Sequence, residues 1–270
     1  MEYFDQHLHT QFSFDSQEDP ENYIEIALQR GVKRLVSTEH VEFDYDNASD
    51  VIPDFKAQQA LYADLKNKYP QIDFVCGAEI GYKSGKVNDA LRIIEKFGLD
   101  FINLSVHDYK GIDVYYPEKY APAKPDDMIR WNLDKIIEAA ESDIPYKTLC
   151  HVDYAFKSAY SIDKTLRFSD YEDQLIPIFK TLVRRKKALE INTKVQRGIG
   201  DDKHTEYLVK TYISVGGKLI TLSDDAHRTN SYLLDLNRYL DLLKRCKLKE
   251  LTFFTDGKPV MKNIDDCYLL

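Results

Sequence analysis

The amino-acid sequence predicts an α/β fold built around a parallel sheet, and three observations support this prediction. The chain has 270 residues, of which 43% are hydrophobic, so it can bury a full core. Short apolar runs alternate with longer amphipathic runs along the whole length, as in βα repeats. Nearly all of the histidines stand at the ends of the apolar runs. Since no linker or low-complexity tract divides the chain, we expect a single domain over residues 1–270.

Seven apolar runs have the length and composition of buried strands. They cover residues 3–9, 34–38, 73–80, 101–106, 148–151, 188–192 and 218–223. Residues 251–255 fit one more strand, and the sequence after them is typical of a turn. Parallel strands need crossover connections, so this pattern requires helices between the strands.

The amphipathic runs between these strands predict the helices. They cover residues 20–30, 53–69, 87–97, 126–142, 170–187, 203–215 and 231–245. Asp19-Pro20 is a favourable helix start, and Gly31 and Gly98 are typical of helix ends. Two connections are unusually long, at residues 107–125 and 152–169. Such loops usually serve a site, unless they contain short helices of their own.

Charge and cysteine content exclude some classes of function. The net charge is −8 and the isoelectric point is about 5.4. This balance argues against broad binding to nucleic acids or anionic membranes, which requires a basic surface. The four cysteines form no CxxC pair, and no run approaches the length of a membrane span. We expect a reduced, cytoplasmic protein with a small-molecule partner.

Six of the seven histidines stand beside carboxylates where the predicted strands end. The ligand-type residues at these positions are His7, His9, His40, Glu79, His107, His151, Asp225 and His227. In parallel α/β barrels the active site lies at the carboxyl ends of the strands. Histidine and carboxylate together are typical ligands of divalent metals. The pattern therefore predicts a hydrolase with several metal ions.

Single residues of this set have simpler interpretations. His151 alone would more often be a hydrogen-bonded core histidine, and His107 alone could be a loop residue bonded to Asp108. Glu79 differs, because it follows an apolar run, where a carboxylate is costly unless it is paired or binds a metal. His204 falls outside the pattern, at a probable helix start, and we expect it on the solvated surface.

Two arginines suggest an anionic substrate. Arg197 follows the sixth predicted strand, and Arg228 directly follows His227. A guanidinium beside metal ions is suited to phosphate oxygens. The alternative for either residue is a salt bridge on the surface.

The ordered motifs resemble those of the PHP (polymerase and histidinol phosphatase) superfamily, from residue 5 to residue 228. The motifs that carry the resemblance are His7-Leu8-His9-Thr10, Glu39-His40, Glu79, Ser105-Val106-His107, His151 with Asp153, and Asp225-Ala226-His227. The resemblance implies a distorted, TIM-like (β/α)7 barrel that holds two or three divalent ions, which could be zinc, manganese or iron.

The resemblance also implies how the ligands are shared. The first ion would be held by His7, His9, Glu79 and Asp225. The second would share Glu79 and add His107 and His151. The third would be held by Asp15, His40 and His227, although Asp15 differs from the histidine that some relatives have at this position.

Within the superfamily, residues 7–16 resemble the start of the histidinol-phosphate phosphatases. This implies the hydrolysis of L-histidinol phosphate to L-histidinol and phosphate, a step of histidine biosynthesis. Arg197 would neutralise charge on the phosphoryl oxygens, with Arg228 as a second phosphate contact. Asp225 or His227 would transfer the protons, and the sequence does not choose between them.

The substrate also carries a cationic amine and an imidazole. We predict that Glu42 or Asp44, in the acidic loop after His40, contacts this cation. The alternative is an acidic loop that only promotes solubility.

Other activities fit the same motifs. A PHP phosphodiesterase or nucleotidase and a phosphotyrosine phosphatase would share the metal site and differ in the pocket. A silent PHP-like binding module is a further alternative, although every expected ligand position is filled. The oligomeric state is not predicted.

Overall fold

The computed structural model describes residues 2–116, 119 and 124–269, and its main feature is a parallel barrel. The barrel strands in the described ranges are β1 (Asp5–Leu8), β2 (Arg34–Tyr45), β3 (Asp73–Gly81), β4 (Phe101–Ser105), β5 (Thr148–Leu149), β6 (Ala188–Asn192) and β7 (Ile220–Ser223). Each strand pairs in parallel with the next strand of the barrel. The last gap is nearly closed, because the His9 amide donates to the Ala226 carbonyl at 2.8 Å. The predicted (β/α)7 fold class is confirmed.

Helices surround the barrel. In the described ranges they are α1 (Pro20–Gln29), α2 (Phe55–Lys68), α3 (Val87–Phe97), α4 (Pro125–Glu141), α5 (Tyr154–Ile162), α6 (Glu172–Arg185), α7 (Thr193–Ile199), α8 (Asp202–Ser214) and α9 (Leu236–Arg245). Asp19 caps α1 by accepting the Glu21 amide at 2.9 Å, and Gly98 ends α3 in the left-handed conformation. These two features agree with the predicted helix boundaries.

Three segments differ from the sequence prediction. Helix α5 occupies much of the long connection 152–169, for which the sequence allowed either a loop or a short helix. Helix α7 begins directly after β6 and was not predicted. The last predicted helix, 231–245, begins only at Leu236, after a single 3₁₀ turn at Thr229–Ser231.

Strand β2 is longer than predicted and places functional residues on the sheet. The apolar run ends at residue 38, but the strand continues to Tyr45 and also pairs with the short antiparallel strand Ser49–Val51. Its second half alternates apolar residues such as Val41 and Phe43 with charged ones, so it lacks the continuous apolar run of the first half. His40 consequently lies directly beside Glu79 of β3 in the sheet register.

A hairpin closes the amino-terminal end of the barrel. It consists of β8 (Glu250–Thr255) and β9 (Lys258–Asn263), which pair in an antiparallel register. Phe254 packs in one cluster with Val36, Phe101 and Ala188 from three barrel strands. The side chain of Gln6 binds the hairpin backbone, accepting the Phe254 amide at 2.8 Å. The eighth predicted strand is therefore real, but it covers the barrel instead of extending it.

Within the described ranges, no helix has both the length and the apolar character needed to cross a bilayer. Residues 1 and 270, the ends of the predicted domain, lie outside the described residues, as do residues 117, 118 and 120–123 of the long connection 107–125. The prediction of one domain over 1–270 stays a prediction.

Candidate metal centre and active site

The carboxyl ends of the barrel strands bring the predicted ligand residues together in one cluster. His7 lies on β1 with His9 just after it, His40 on β2 and Glu79 on β3. His107, His151 and Asp225 each follow the end of their strand by two residues. His227 and Asp15 approach from the loops after β7 and β1. Seven parallel strands converge at this end, so residues far apart in sequence become neighbours.

Glu79 lies at the centre of the cluster and is fully buried. Its Oε1 atom lies 2.8 Å from Nε2 of His151 and 3.1 Å from Nε2 of His107. Its Oε2 atom lies 3.2 Å from Nε2 of His7 and 3.4 Å from Nε2 of His9. Nδ1 of His40 also lies 3.3 Å from Oε2. The two carboxylate oxygens therefore face different sets of imidazoles, which is the arrangement expected of a carboxylate between two cations.

Two further groups flank this centre. Asp225 Oδ1 lies 3.1 Å from Nε2 of His9, on the His7 side of Glu79. On the outer side, Asp15 Oδ2 lies 2.9 Å from Nε2 of His227 and 3.5 Å from Nε2 of His40. The ring of His9 lies between these groups, with its centre 4.2 Å from the ring centres of both His40 and His227. The predicted ligands thus lie together, whereas their division into three ligand sets stays a prediction.

Unpaired buried atoms indicate that cations fit this cluster. His9 Nε2, His40 Nδ1 and Asp225 Oδ1 are buried and have no hydrogen-bond partner among the described residues. Buried polar atoms without partners are costly, and a bound cation would satisfy them. Ligand atoms of His7, His9 and Asp225 lie within 4.8 Å of one another, as do those of His7, Glu79 and His151. The donor set of imidazoles and carboxylates suits zinc and related divalent ions.

Two outer carboxylates orient these imidazoles, and the sequence prediction missed this role. Glu190 Oε1 lies 2.6 Å from Nδ1 of His7, and Glu42 Oε1 lies 2.7 Å from Nδ1 of His107. Each contact leaves Nε2 directed at Glu79. Ligand histidines commonly donate their other ring N–H to a carboxylate in this way. The available signal for Glu190 was its position as a carboxylate inside the apolar strand β6.

The local charges couple the protonation of these groups. Burial raises the pKa of Glu79, but the nearby rings of His7, His107 and His40 outweigh it and hold the pKa well below its usual value. Burial lowers the pKa of His40, but Glu79, Asp15 and Glu42 raise it to about 10. Burial, reinforced by His227 and His40, holds the pKa of His9 well below its usual value. The cluster thus alternates positive and negative groups at close range.

The backbone is left-handed at two of the ligand positions. His151 has φ 25° and Asp225 has φ 52°, and neither residue is a glycine. Residues other than glycine rarely adopt such angles, and those that do often lie at functional sites. The conformation directs both side chains into the barrel opening immediately after their strands end.

A cavity of about 420 Å³ lies above the cluster. Its floor includes six of the predicted ligands, and its walls add aromatic and charged residues from several loops. The wall residues are Phe14, Glu42, Tyr45, Asp113, Tyr115, Tyr116, Tyr154, Lys194 and Arg228. Its size is that of a small-molecule site.

Lys194 supplies the positive charge that the sequence prediction assigned to Arg197. Lys194 Nζ lies 3.0 Å from Nδ1 of His227 and 3.5 Å from Oδ1 of Asp225, and it lines the cavity. Arg197 does not line the cavity. It lies three residues further along α7, where its guanidinium donates to Thr193 Oγ1 at 2.9 Å and to the Leu234 carbonyl at 3.0 Å. These two oxygens hold the guanidinium outside the cavity, so the predicted catalytic and phosphate-binding position of Arg197 is corrected.

Of the two predicted contacts for a substrate cation, Asp44 lies outside the cavity, and Glu42 lines it but is engaged by histidines. Asp44 does not line this cavity, and its carboxylate lies 3.3 Å from Nζ of Lys86. Glu42 does line the cavity, but Oε1 is engaged by Nδ1 of His107 and lies 3.3 Å from Nδ1 of His40. The cause is the extended β2 strand, which carries Glu42 into the histidine cluster. Arg228 does lie on the cavity wall, and its role as a phosphate contact stays a prediction.

Asp113 is the cavity carboxylate that the sequence prediction did not identify. It is buried, accepts the Tyr45 hydroxyl at 3.0 Å and accepts the Tyr115 amide at 2.8 Å. Burial raises its pKa. It lies in the long connection after β4, a segment without a periodic pattern, so only its presence in a long loop pointed to function.

His204 is buried, which corrects the prediction that it lies on the surface. Its Nε2 atom lies 2.8 Å from Oδ2 of Asp153, and its ring stacks on Phe156 with ring centres 4.9 Å apart. The charged sequence around it is typical of an exposed helix start, but the described fold turns this face of α8 towards α5.

Comparison with known proteins agrees with the fold and the site. The family model for the PHP domain matches residues 5–194. The chain therefore belongs to the PHP domain family. It is 29% identical to a histidinol-phosphatase of Lactococcus lactis over 271 residues, covering 97% of this chain and 98% of that protein.

Solved structures are similar as well. A crystal structure of histidinol phosphate phosphatase from Lactococcus lactis, in complex with zinc, L-histidinol and phosphate, has a TM-score of 0.85 and 25% identity. The match covers 95% of this chain and 98% of that one. A Listeria monocytogenes structure with a TM-score of 0.74 and 16% identity covers 88% of this chain and 100% of that one, and it shares the fold.

Proposed function

We propose that this protein is a metal-dependent phosphomonoesterase that hydrolyses L-histidinol phosphate to L-histidinol and phosphate. The observation that carries the proposal is the Glu79-centred cluster of imidazoles and carboxylates at the floor of a cavity with both cationic and anionic walls. The Lactococcus lactis relative, whose structure contains zinc, L-histidinol and phosphate, supports the choice of substrate.

Two or three divalent ions would be held by the three ligand sets around Glu79, Asp225 and Asp15. Zinc is the metal of the Lactococcus lactis structure, and manganese and iron suit the same ligands. Bound ions of this kind polarise phosphoryl oxygens and make water nucleophilic near neutral pH. The chain supports this chemistry by keeping the imidazole Nε2 atoms of His7 and His107 directed inward through Glu190 and Glu42.

Two cationic side chains line the cavity and suit a phosphoryl group, and a third contacts its aromatic wall. Lys194 reaches the cavity floor beside Asp225 and His227. Arg228 lies on the wall, and although its carbonyl accepts from Ser231, its guanidinium forms no hydrogen bond or ion pair with another described residue. Lys157 Nζ lies 4.7 Å from the ring centre of Tyr154, a wall residue. Cations at these positions would stabilise the negative charge that develops on the phosphoryl oxygens.

Exposure favours His227 over Asp225 for proton transfer to the leaving alkoxide. The His227 side chain is 17% exposed, whereas that of Asp225 is 6% exposed. Both reach the cavity, but only His227 is held near its mouth by Asp15, whose side chain is 35% exposed. A donor must lie within hydrogen-bond reach of the leaving oxygen, and the more accessible ring meets this requirement better.

Asp113 is the best-placed group for the substrate amine. Its carboxylate lines the cavity together with Tyr45 and Tyr116, and it accepts the Tyr45 hydroxyl. A carboxylate next to aromatic rings suits a cation by charge and by cation–π attraction. A cytoplasmic location belongs to the proposed function, since the four cysteines are free, as expected in a reducing compartment.

A substrate panel tests the proposed activity. The zinc-loaded and manganese-loaded enzyme would be assayed for release of phosphate from L-histidinol phosphate and phosphotyrosine, and for cleavage of bis(p-nitrophenyl) phosphate. We expect L-histidinol phosphate to have the highest kcat/KM. Strong diesterase or phosphotyrosine activity without turnover of L-histidinol phosphate would overturn the proposal, and no hydrolysis of any ester would favour a binding module.

A further inference from the structure

Glu39 is a buried carboxylate without a cationic partner. It is fully buried on β2, and no lysine, arginine or histidine in the described ranges pairs with it. Its neutral donors are the Thr10 amide and hydroxyl, the Ser13 hydroxyl, the Gln58 amide group and the Tyr62 hydroxyl. A buried carboxylate is costly unless its oxygens are satisfied. Glu39 therefore accepts many hydrogen bonds. It lies next to the metal cluster but is not one of the predicted ligands.

The hydrogen-bond geometry shows that Glu39 accepts on both oxygens. The Thr10 amide donates to Oε2 at 3.0 Å, and the Gln58 side-chain amide donates to Oε1 at 3.1 Å. N–H groups cannot accept, so both oxygens act as acceptors. The Ser13 hydroxyl lies 2.7 Å from Oε2 and therefore donates its single proton to Glu39.

This donation determines the proton on His9. Ser13 Oγ has two further contacts, the His40 amide at 3.1 Å and Nδ1 of His9 at 3.1 Å. A hydroxyl has one proton and two acceptor positions. Since the proton goes to Glu39, Ser13 can only accept from His9, which requires the proton of His9 to be on Nδ1. The Nε2 atom is then a bare lone pair.

The bare Nε2 atom is the one that faces the metal cluster. It lies 3.1 Å from Oδ1 of Asp225 and 3.4 Å from Oε2 of Glu79, and it has no hydrogen-bond partner among the described residues. We propose that Glu39 and Ser13 are positioning residues, which hold His9 as its Nδ1–H tautomer so that Nε2 binds a divalent ion. The inference rests on the proposed metal centre for its purpose, but the tautomer can be tested without any metal.

A purely structural role for Glu39 is the competing explanation, and Thr10 separates the two. Thr10 Oγ1 donates to Glu39 Oε1 at 2.7 Å, as Ser13 donates to Oε2. Both hydroxyls are buried in the same loop, but the Thr10 hydroxyl forms no hydrogen bond with an imidazole of the described residues. Ser13→Ala and Thr10→Val each remove one hydroxyl donor from Glu39. Only Ser13→Ala also removes the acceptor for His9.

The first measurement is NMR of metal-free protein labelled with ¹⁵N-histidine, which reports the tautomer of each ring. We expect His9 as the Nδ1–H tautomer in the unsubstituted protein and in Thr10→Val, and a mixture of tautomers in Ser13→Ala. An Nε2–H tautomer of His9 in the unsubstituted protein would overturn the proposal, whether or not the variants fold.

The second measurement is zinc affinity, by competition with a chromophoric chelator. We expect Ser13→Ala to weaken one zinc site by about 10-fold to 100-fold, the range typical of outer hydrogen-bond partners, while Thr10→Val stays within about threefold. Equal weakening in both variants, or none in Ser13→Ala, would contradict the positioning role of Glu39 and Ser13. Failure of the unsubstituted protein to bind zinc would instead contradict the proposed function. The NMR measurement would still test whether Ser13 sets the His9 tautomer.

Discussion

Nδ1 of His7 lies 2.6 Å from Oε1 of Glu190, with both side chains buried. The other oxygen of Glu190 accepts the His151 amide at 3.1 Å and the Asn192 side-chain amide at 3.1 Å. One carboxylate on β6 therefore orients a ligand ring from β1 and the backbone of the ligand loop after β5. This connects the ligand geometry to the closure of the barrel, because these strands meet only in the folded sheet.

Substitution of Glu190 by glutamine should weaken metal binding more than it alters chemistry. Glutamine has the same shape, but its neutral oxygen would hold the His7 ring less strongly. Its NH₂ group would face the His151 amide and the Asn192 side-chain amide, which are also donors. We expect metal affinity to fall by about 10-fold to 100-fold. The concentration of free zinc that gives half-maximal activity measures this. Glu206→Gln, on the outer face of α8, is the control, and equal zinc dependence of the two variants would refute the role of Glu190.

Removal of metal should abolish turnover and lower stability. Without cations, the carboxylates and imidazoles of the cluster include buried atoms that lack hydrogen bonds. Metal at about 100 times its Kd should stabilise the fold by about 2.7 kcal/mol, since a ligand that binds only the folded state shifts unfolding by mass action. Thermal unfolding after chelation, and again after zinc is restored, measures this. Full activity after chelation to trace metal would contradict the assignment.

Lys194 and Arg197 should differ sharply in their effect on catalysis. Lys194→Met removes a cation from the cavity floor, and kcat/KM should fall by about 100-fold to 1000-fold, the usual cost of losing one charge-stabilising contact. Arg197→Met should change kcat/KM by less than about threefold while lowering Tm, because Arg197 binds the Leu234 carbonyl and Thr193. Steady-state kinetics of both variants measure this difference. A larger loss of kcat/KM in Arg197→Met than in Lys194→Met would instead support the prediction made from sequence.

Asp113 should control recognition of the amine rather than of the phosphate. Asp113→Asn should raise KM for L-histidinol phosphate by about tenfold or more, since hydrogen bonds to charged groups contribute about 1.5–3 kcal/mol. KM for p-nitrophenyl phosphate, which has no amine, should change little. Asp44→Asn is the control, because its carboxylate faces Lys86 and not the cavity. A parallel loss with both substrates would instead indicate a structural role.

His204 should matter for stability. His204→Ala would leave Asp153 buried with only the Gln196 amide as a side-chain donor, and would remove a ring stacked on Phe156. The loss of one partner of a buried hydrogen bond costs about 1–3 kcal/mol, and more when the group left behind is charged. Urea unfolding of the metal-free protein measures the cost. Tyr207→Phe, which removes a hydroxyl from the same side of α8, should cost less than about 0.5 kcal/mol. An equally small cost for His204→Ala would show that its contacts with Asp153 and Phe156 do not stabilise the fold.

Local pattern predicted most of the secondary structure, and its failures have physical causes. The apolar runs of β3 and β6 match the structure because buried parallel strands are continuously hydrophobic. The second half of β2 was not predicted, because charged residues interrupt its apolar run. Helix α7 is short and follows its strand directly, so it offers too few turns for a periodic signal.

The ligand residues could be predicted because metal chemistry restricts them to a few residue types at strand ends. The substrate side was harder. Lys194 and Arg197 are three residues apart, and sequence does not reveal which of them faces the cavity. Asp113 and Asp44 are both acidic residues in loops, and only the path of each loop places one carboxylate in the cavity and the other beside a lysine.

By itself, the sequence determined the alternation of strands and helices and the identity of the ligand-type side chains, because hydrophobic periodicity and residue chemistry are local properties. The tertiary structure alone decided which groups meet: Glu190 with His7, Glu39 with Ser13, and Lys194 rather than Arg197 with the cavity. Such contacts join segments brought together by barrel closure and helix rotation, and neither is encoded in the spacing of neighbouring residues.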